Sequence, residues 1–336
     1  MSTVNSKRAH SALSAPAEDS RIYLSARKLI ALRAHARGFV LNPSQFIQNQ
    51  YVGRHPSKQR GRGLNFEELS HYRIGDDTRT MDWKVTNRTG KPHVRVYTEE
   101  RERPVMLACD QRVAMFFGSQ HKMKSVVAAE VLSLLAWRQF ALGDAIASLL
   151  FNDTNMLEFS PQRSSSALLE VFQQLSIMNR SLSCKTDPLD PLASQASLNK
   201  ALHHLMRLCP RNNLIVLISD LQGYNDDSET LVKSLAIHND VFVLHAIDAA
   251  EKDLPASHSL IAGNGELQIA VGCDEPSLRD NYRLQAQQWL STLAAQFRRS
   301  GVGYYALNTV QASEQQLRQA LPEASNVVRK QHSSFS

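Results

Sequence analysis

PVMLACD, at residues 104–110, is a continuous apolar run that ends in an acidic residue. LIVLISD at 214–220 and VFVLHAID at 241–248 repeat this pattern, and each also ends in Asp. Continuous apolar runs of this length are typical of strands that are buried on both faces of a parallel sheet. The three runs therefore predict the central strands of one sheet, with an aspartate at the carboxyl end of each strand.

Helical and extended patterns alternate on both sides of these runs. Apolar residues at helical spacing predict helices over 122–142, 165–176, 193–208, 227–238 and 277–300. Further strands are predicted at 145–151, 156–159 and 303–309, and Asn264-Gly265 between two alternating runs predicts a hairpin over 259–271. This alternation predicts an α/β fold, a doubly wound and mostly parallel sheet that helices cover on both faces.

The chain of 336 residues has the length of one large domain or two ordinary ones. We expect a disordered tail over 1–20, a basic N-terminal extension over 21–103, the α/β domain over 104–310 and a C-terminal tail over 311–336. Within the extension, apolar spacing over 21–38 predicts a basic amphipathic helix, and the three Gly and one Pro of 53–63 predict a flexible loop.

Charge is concentrated near the N-terminus, where residues 1–63 carry a surplus of +9 in a chain of net charge +6. Such an arm can meet nucleic acid, an anionic membrane surface or an acidic protein. Nucleic acid is the less favoured partner, because aromatic residues are sparse in this arm and no groove-reading motif accompanies the charges. An acidic protein partner or a solvated arm is favoured instead.

The composition also bears on the compartment. The four Cys form no CxxC pair, which disfavours a zinc ribbon or a disulfide scaffold and favours a reducing environment. No uncharged apolar stretch reaches the roughly 20 residues that cross a bilayer, and the N-terminus lacks the apolar core of a secretory signal. These features predict a cytoplasmic protein without a membrane span.

The aspartates that end the apolar runs, Asp110, Asp220 and Asp248, should gather at the carboxyl edge of the sheet, where open α/β folds place their sites. Two carboxylates at this edge could hold a divalent cation, or each could cap the helix that follows its strand. The sequence contains no GxSxG, HExxH or phosphate-loop motif, so no enzymatic activity is predicted.

The segment GRGLNFEELSHYRIGDDTRTMDWKVTNRTGK, at residues 61–91, mixes opposite charges closely around aromatic residues. It is either a solvated loop with weak ion pairs or an ordered recognition surface, and we favour the surface. Its candidate partner-binding residues are Tyr72, Arg73, Asp76, Asp77, Arg79, Asp82, Trp83 and Arg88. The alternative for Tyr72 and Trp83 is structural, as residues that dock the N-terminal segment onto the sheet.

Residues 61–110 resemble the signature of the domain-of-unknown-function 58 family, from GRG through GDD, the DW pair and NRTGK to the apolar strand ending in Asp. Lys124, GDAIASLLFND at 143–153, LIVLISDLQ at 214–222 and NDVFVLHAIDAAEKDLP at 239–255 extend the resemblance. The family implies a von Willebrand factor A-like domain. It also implies a MoxR-type AAA+ ATPase as partner, in the chaperone-like maturation of client proteins.

Von Willebrand A domains often carry a metal-ion-dependent adhesion site built on DxSxS, a Thr and a later Asp. Here Asp110 and Asp220 match the two acids, whereas Arg112 and Ala114 replace the serines, so the site is degenerate. The Thr position falls near Ala196, with Ser194 or Ser197 as alternatives. Mg²⁺ is therefore disfavoured as a cofactor, and Asp110 and Asp220 are only weak metal candidates.

Arg112 has two interpretations. Its planar fork can bridge the two carboxylates and supply the positive charge of a metal, or its side chain can point into solvent.

The leading prediction is a non-enzymatic adaptor of the ATPase. The alternatives are a metal-dependent ligand-binding module and a nucleic-acid or anionic-membrane binder that uses the basic arm.

Overall fold

The computed structural model describes residues 19–41, 65–72, 81–98, 103–183, 191–254, 260–263, 268–271 and 276–322. The described strands are β1 (Asn65–His71), β2 (His93–Thr98), β3 (Val105–Asp110), β4 (Ile146–Phe151), β5 (Met156–Gln162), β6 (Leu214–Ser219), β7 (Asp240–Ile247), β8 (Leu260–Gly263), β9 (Gln268–Val271) and β10 (Gly303–Asn308). The described α-helices are α1 (Ala26–Ala31), α2 (Trp83–Thr89), α3 (Lys124–Leu142), α4 (Ser165–Arg180), α5 (Pro191–Leu208), α6 (Asp226–His238), α7 (Pro276–Arg299) and α8 (Ser313–Ala320).

The chain divides into two compact units. One unit comprises Met1–Leu41 together with Val105–Ser336, and the other comprises Asn42–Pro104.

The first unit is built on a six-stranded sheet of order β10-β7-β6-β3-β4-β5. All neighbouring strands are parallel except the edge strand β5, which runs antiparallel to β4. Every residue of β3, β4 and β6 is buried, and successive side chains of a strand point to opposite faces, so both faces of the sheet centre are covered. The predicted α/β class with a mostly parallel sheet is confirmed.

Helix α3 lies in the core of this unit, with most of its residues buried, and it ends at Gly143, whose φ of +85° is the left-handed value typical of a helix terminus. By length and composition alone it could cross a membrane, although 78% of its most apolar window is buried inside the fold. The prediction that no segment could span a membrane is therefore wrong. The search for uncharged runs missed this helix because Glu130 and Arg138 interrupt it.

The N-terminal boundary differs from the predicted one. Residues 19–41 belong to the first unit, where Leu24, Leu29 and Phe39 are fully buried and the Leu24 N–H donates to Asn179 Oδ1 at 2.8 Å. The predicted helix over 21–38 is shortened to α1 and a 3-10 turn at Leu32–His35, because this segment follows the surface of the core.

The C-terminal boundary also moves. Helix α8 packs on the first unit through the buried Leu317, and the backbone N–H of Val40 donates to the carbonyl of Leu321 at 3.0 Å. Residues 311–322 are thus part of the fold rather than of a tail. Residues 1–18 of the predicted tail over 1–20, the loop over 53–63 and residues 323–336 lie outside the described part of the chain.

The described part of the structure contains two antiparallel strand pairs outside the six-stranded sheet, and the first of them was predicted. Strands β8 and β9 pair antiparallel, as the hairpin prediction requires. In the second unit, β1 pairs antiparallel with β2, and α2 lies between them in the chain. Asp82 begins α2, since its Oδ1 accepts the N–H groups of Lys84 and Val85 at 3.0 and 3.1 Å. Gly90 ends the helix at a φ of +66°.

Candidate functional site

The site lies where β3 and β6 end. Asp110 is the last residue of β3, and two residues later the side chain of Arg112 is completely buried. Arg112 Nε lies 3.0 Å from both carboxylate oxygens of Asp110, and its Nη2 lies 2.7 Å from Oδ2. Ser219, the last residue of β6, donates its hydroxyl to the same Oδ2 at 2.6 Å. The interpretation in which Arg112 points into solvent is therefore wrong.

Arg112 also reaches the second predicted carboxylate. Its Nη2 lies 3.3 Å from Oδ1 of Asp220, and its Nη1 donates to the carbonyl of Gln222 at 3.0 Å. The N–H of Gln222 donates to Asp220 Oδ1 at 3.0 Å, which fixes the turn after β6. The predicted bridge of one guanidinium between two carboxylates is confirmed.

Lys124 completes the cluster, and sequence reasoning noted it only as a mark of the family. It is 2% exposed, and its Nζ lies 2.9 Å from Asp220 Oδ2 and 2.7 Å from Glu251 Oε1. A cation in the first turn of a helix is disfavoured by the helix dipole, so a lysine opening an apolar helix is a local signal that a carboxylate lies nearby. The sequence does not say which carboxylate. We call Asp110, Arg112, Lys124, Asp220 and Glu251 the edge cluster.

Burial and pairing act against each other on the pKa values of the cluster. Burial raises the pKa of Asp110 above its usual range even though Arg112 lies beside it. Burial acts in the same direction on Asp220, but Lys124 and Arg112 outweigh it, and the pKa of Asp220 is lowered. The pKa of Lys124 is raised, because Asp220 and Glu251 together overcome the effect of burial. The lysine therefore stays charged at neutral pH.

The third aspartate, Asp248, is held by hydrogen bonds rather than by ion pairs. Its carboxylate accepts the N–H of Ala250 at 3.0 Å, the N–H and hydroxyl of Ser119, and the hydroxyl of Thr309 at 2.5 Å. Burial tends to raise the pKa of Asp248, but the Ser119 and Thr309 hydrogen bonds lower it overall. Asp248 thus caps the 3-10 turn Ala249–Glu251, which is the capping alternative for this residue.

The residues present at the edge do not fit a divalent cation. Arg112 and Lys124 already engage the carboxylates of Asp110 and Asp220, and a metal would have to displace both cations. Ala114 is buried in a 3-10 turn, Ala196 is exposed, and Ser197 donates its hydroxyl to a backbone carbonyl, that of Asp153, at 3.3 Å. Within the described residues there is no group of three His, Cys, Asp or Glu that could hold a metal.

Part of the predicted recognition surface can be located in the second unit. Trp83 is 64% exposed and Arg88 is exposed, both on α2, whereas Tyr72 is half-buried. Asp82 is 8% exposed and caps α2, so its carboxylate acts inside the unit rather than as a contact residue. Arg73, Asp76, Asp77, Arg79 and Ser194 fall outside the residues whose side chains the structure describes.

Three comparisons relate the chain to known proteins. It is 26% identical over 279 residues to uncharacterized proteins of Mycobacterium bovis and Mycobacterium tuberculosis, covering 83% of this chain and 85% of each relative.

Among solved structures it is similar to the conserved hypothetical protein BatB from Bacteroides thetaiotaomicron, at 13% identity and a TM-score of 0.38. It is also similar to an aerotolerance-related membrane protein from Bacteroides fragilis, at 14% identity and a TM-score of 0.38. Each similarity covers 68% of this chain and 99% of the other. The second title names a membrane protein. The predicted absence of a membrane span is corrected by α3, which could cross a membrane by its length and composition.

The model of the family described as "Protein of unknown function DUF58" matches residues 68–289, which include the edge cluster and α2. This match covers more than half of the sequence and agrees with the resemblance drawn from residues 61–110. The chain therefore belongs to the DUF58 family.

Proposed function

We propose that the protein is a non-enzymatic protein-interaction module of von Willebrand factor A type. In this proposal it serves a MoxR-type AAA+ ATPase as an adaptor in the chaperone-like maturation of other proteins. The observation that supports the proposal is the edge cluster, in which Arg112 bridges Asp110 and Asp220, the two acids that match those of an adhesion site, and Lys124 pairs with Asp220.

The state of the cluster supports a scaffold rather than a reaction centre. Asp110, Arg112, Lys124 and Asp220 are each at most 5% exposed, and each lies within 3.3 Å of a group of opposite charge. A charge that is buried and paired in this way cannot approach a substrate without leaving its partner, which is costly. The cluster instead holds the ends of β3 and β6 and the start of α3 in one arrangement.

Helix α2 supplies the contact surface in this proposal. Its two turns are held at one end by the Asp82 cap and at the other by Gly90, and they expose Trp83 and Arg88. Trp and Arg are the residue types in which binding energy concentrates at protein interfaces. A preformed helix that presents both loses little conformational freedom on binding.

The test is affinity purification of the full chain from native lysate, with ATP or a non-hydrolysable analogue present, followed by mass spectrometry. We expect recovery of an AAA+ ATPase with the wild-type chain and its loss with the double variant Trp83→Ala/Arg88→Ala. The matched control is Ile237→Ala, since Ile237 is 71% exposed but lies on α6 in the first unit.

Both variants should unfold within about 0.5 kcal/mol of the wild type, because surface substitutions of this kind rarely cost more. Failure to recover an AAA+ ATPase with the wild-type chain would contradict the proposed partner. Equal recovery with all three chains would contradict the assignment of α2 as the contact surface.

A further inference from the structure

A cavity of about 420 Å³ opens beside the edge cluster, between the carboxyl ends of β6 and β7 and helix α7. This volume lies within the range of pockets that bind small molecules or single side chains. Asp220, His245, Glu251 and Trp289 are among the residues that line it. Asp220 and Glu251 belong to the edge cluster, and Trp289 belongs to the helix.

Aromatic side chains line the cavity from more than one element, with Trp289 on α7 and His245 on β7. Trp289 is 50% exposed, and its ring meets the ring of His245 edge-on, with the centroids 5.6 Å apart and the planes at 76°. Tyr224 also lines the cavity. The faces of aromatic rings, Trp above all, attract organic cations.

Acidic side chains also line the cavity. Asp220 and Glu251 are the charged residues among the described residues that line the cavity, and the Glu251 side chain is 37% exposed. The edge cluster holds three carboxylates and two cations. Lys252 is not one of the lining residues, but its charge acts on His245 and offsets part of the negative charge of the cluster.

His245 does not compensate this charge at neutral pH. Burial lowers the pKa of His245 to about 4, and its two ring nitrogens are already engaged. Nδ1 lies 2.7 Å from the hydroxyl of Tyr304, and Nε2 lies 2.9 Å from the carbonyl of Asp220. The cavity is therefore acidic as well as aromatic.

We propose that this cavity binds the guanidinium group of an arginine side chain presented by a partner protein, between the ring of Trp289 and the carboxylate of Glu251. A guanidinium is planar, stacks on aromatic rings and pairs with carboxylates through two N–H groups, whereas an ammonium offers a compact, strongly hydrated charge. Glu251 accepts one bond on each oxygen, from Lys124 and from the backbone N–H of Asp248. Since a carboxylate offers about four acceptor sites, it has capacity for a further donor. The inference rests on the proposed function only in taking the partner to be a protein.

The test compares two short peptides, acetyl-Gly-Arg-Gly-amide and acetyl-Gly-citrulline-Gly-amide, binding to the full chain by isothermal titration calorimetry. Citrulline has nearly the shape of arginine without its charge. We expect the arginine peptide to bind about tenfold more tightly than the citrulline peptide. Glu251→Gln and Trp289→Ala should each weaken the arginine peptide about fivefold to tenfold.

Matched controls are Glu158→Gln and Ile237→Ala, because both residues are exposed and neither lines the cavity. They should bind the arginine peptide as the wild type does. Equal binding of the two peptides, or unchanged binding by the Glu251 and Trp289 variants, would overturn the proposal. Full competition by tetramethylammonium would also overturn it, since the site would then be one for small organic cations.

The outcome can be separated from that of the proposed function. Recovery of the ATPase is tested on α2 of the second unit, with no substitution in the cavity. If the peptides fail while the ATPase is recovered, only the arginine site is wrong. If the peptides behave as expected and no ATPase is recovered, the cavity stands and the proposed partner is wrong.

Discussion

Asp110 ends β3 and Asp248 follows β7, two buried apolar strands on either side of β6, yet the two carboxylates are held in different ways. Asp110 is paired with the buried guanidinium of Arg112, whereas Asp248 is surrounded by the hydroxyls of Ser119 and Thr309 and by backbone N–H groups. One carboxylate is thus neutralised by a full charge and the other by neutral donors. The difference indicates that an aspartate at a strand end can belong to an ion-pair cluster or can hold a loop in place through hydrogen bonds.

The two arrangements differ in what the loss of a partner leaves behind. Removing one member of a buried ion pair leaves an uncompensated charge, which costs about 3–5 kcal/mol. Removing a neutral hydrogen bond from a carboxylate that keeps its other donors costs less, about 1–3 kcal/mol. Three measurements test this difference between the two strand ends.

The largest effect should come from Arg112→Met, which leaves Asp110 buried without its cation. We expect the free energy of unfolding to fall by about 3–5 kcal/mol in urea denaturation at pH 7. The matched control is the double variant Asp110→Asn/Arg112→Met. It should recover part of the loss, because no unpaired charge remains. A loss below about 1 kcal/mol for the single variant would show that the cluster is not a tightly coupled ion pair.

The next effect concerns His245, which lies on β7 three residues before Asp248 and contacts the carbonyl of Asp220. Its pKa of about 4 in the fold lies below the value of about 6.5 in an unfolded chain, so the unfolded chain binds the extra proton as the pH falls. Its contribution to stability is therefore complete above pH 6.5 and is lost between pH 6.5 and 4. The free energy of unfolding should fall by about 2 kcal/mol from pH 7 to pH 5 on this account.

Urea denaturation at the two pH values measures this change. His245→Gln should show a smaller fall than the wild type, and the exposed His203→Gln should keep the wild-type fall. The same fall in both variants would mean that another group causes the pH dependence.

The smallest effect should come from Asp248→Asn. Asparagine keeps one carbonyl oxygen for the donors around it but turns an NH₂ group toward the hydroxyls and N–H groups, so we expect a loss of about 1 kcal/mol at pH 7. Urea denaturation beside Arg112→Met makes the comparison direct. A loss as large as that of Arg112→Met would mean that charge, rather than hydrogen bonding, dominates at both strand ends.

Much of the fold could be predicted from local patterns. The apolar runs that became β3, β6 and β7 and the helical spacing of α3 are visible without a structure, because burial on both faces removes polar residues from a strand. The end of α3 at Gly143 is equally local. The end of the helix predicted over 21–38 could not be predicted from local patterns. Its shortening depends on contacts with residues such as Asn179 that lie far away in the chain.

The candidate site was predicted only in part. Asp110 and Asp220 could be chosen because strand ends meet at one edge. Arg112 was singled out by the resemblance to an adhesion site, and its pairing with both acids was one of two interpretations. Asp82 was taken as a contact residue, although an aspartate before a short helix that ends in Gly is also the pattern of an N-cap. Lys124 and the cavity beside Trp289 were missed.

The sequence by itself determined which segments form strands, that these strands are apolar, and which acids end them. These properties depend on the residues within each element. Only the tertiary structure decided which charges meet: Arg112 and Asp220 are 108 residues apart in the chain, and Lys124 and Glu251 are 127 apart. A buried charge is stable only beside its partner, and that proximity is set by how strands and helices pack. The residues at the sheet edge can therefore be predicted from local sequence, whereas the ion pairs among them depend on the tertiary structure.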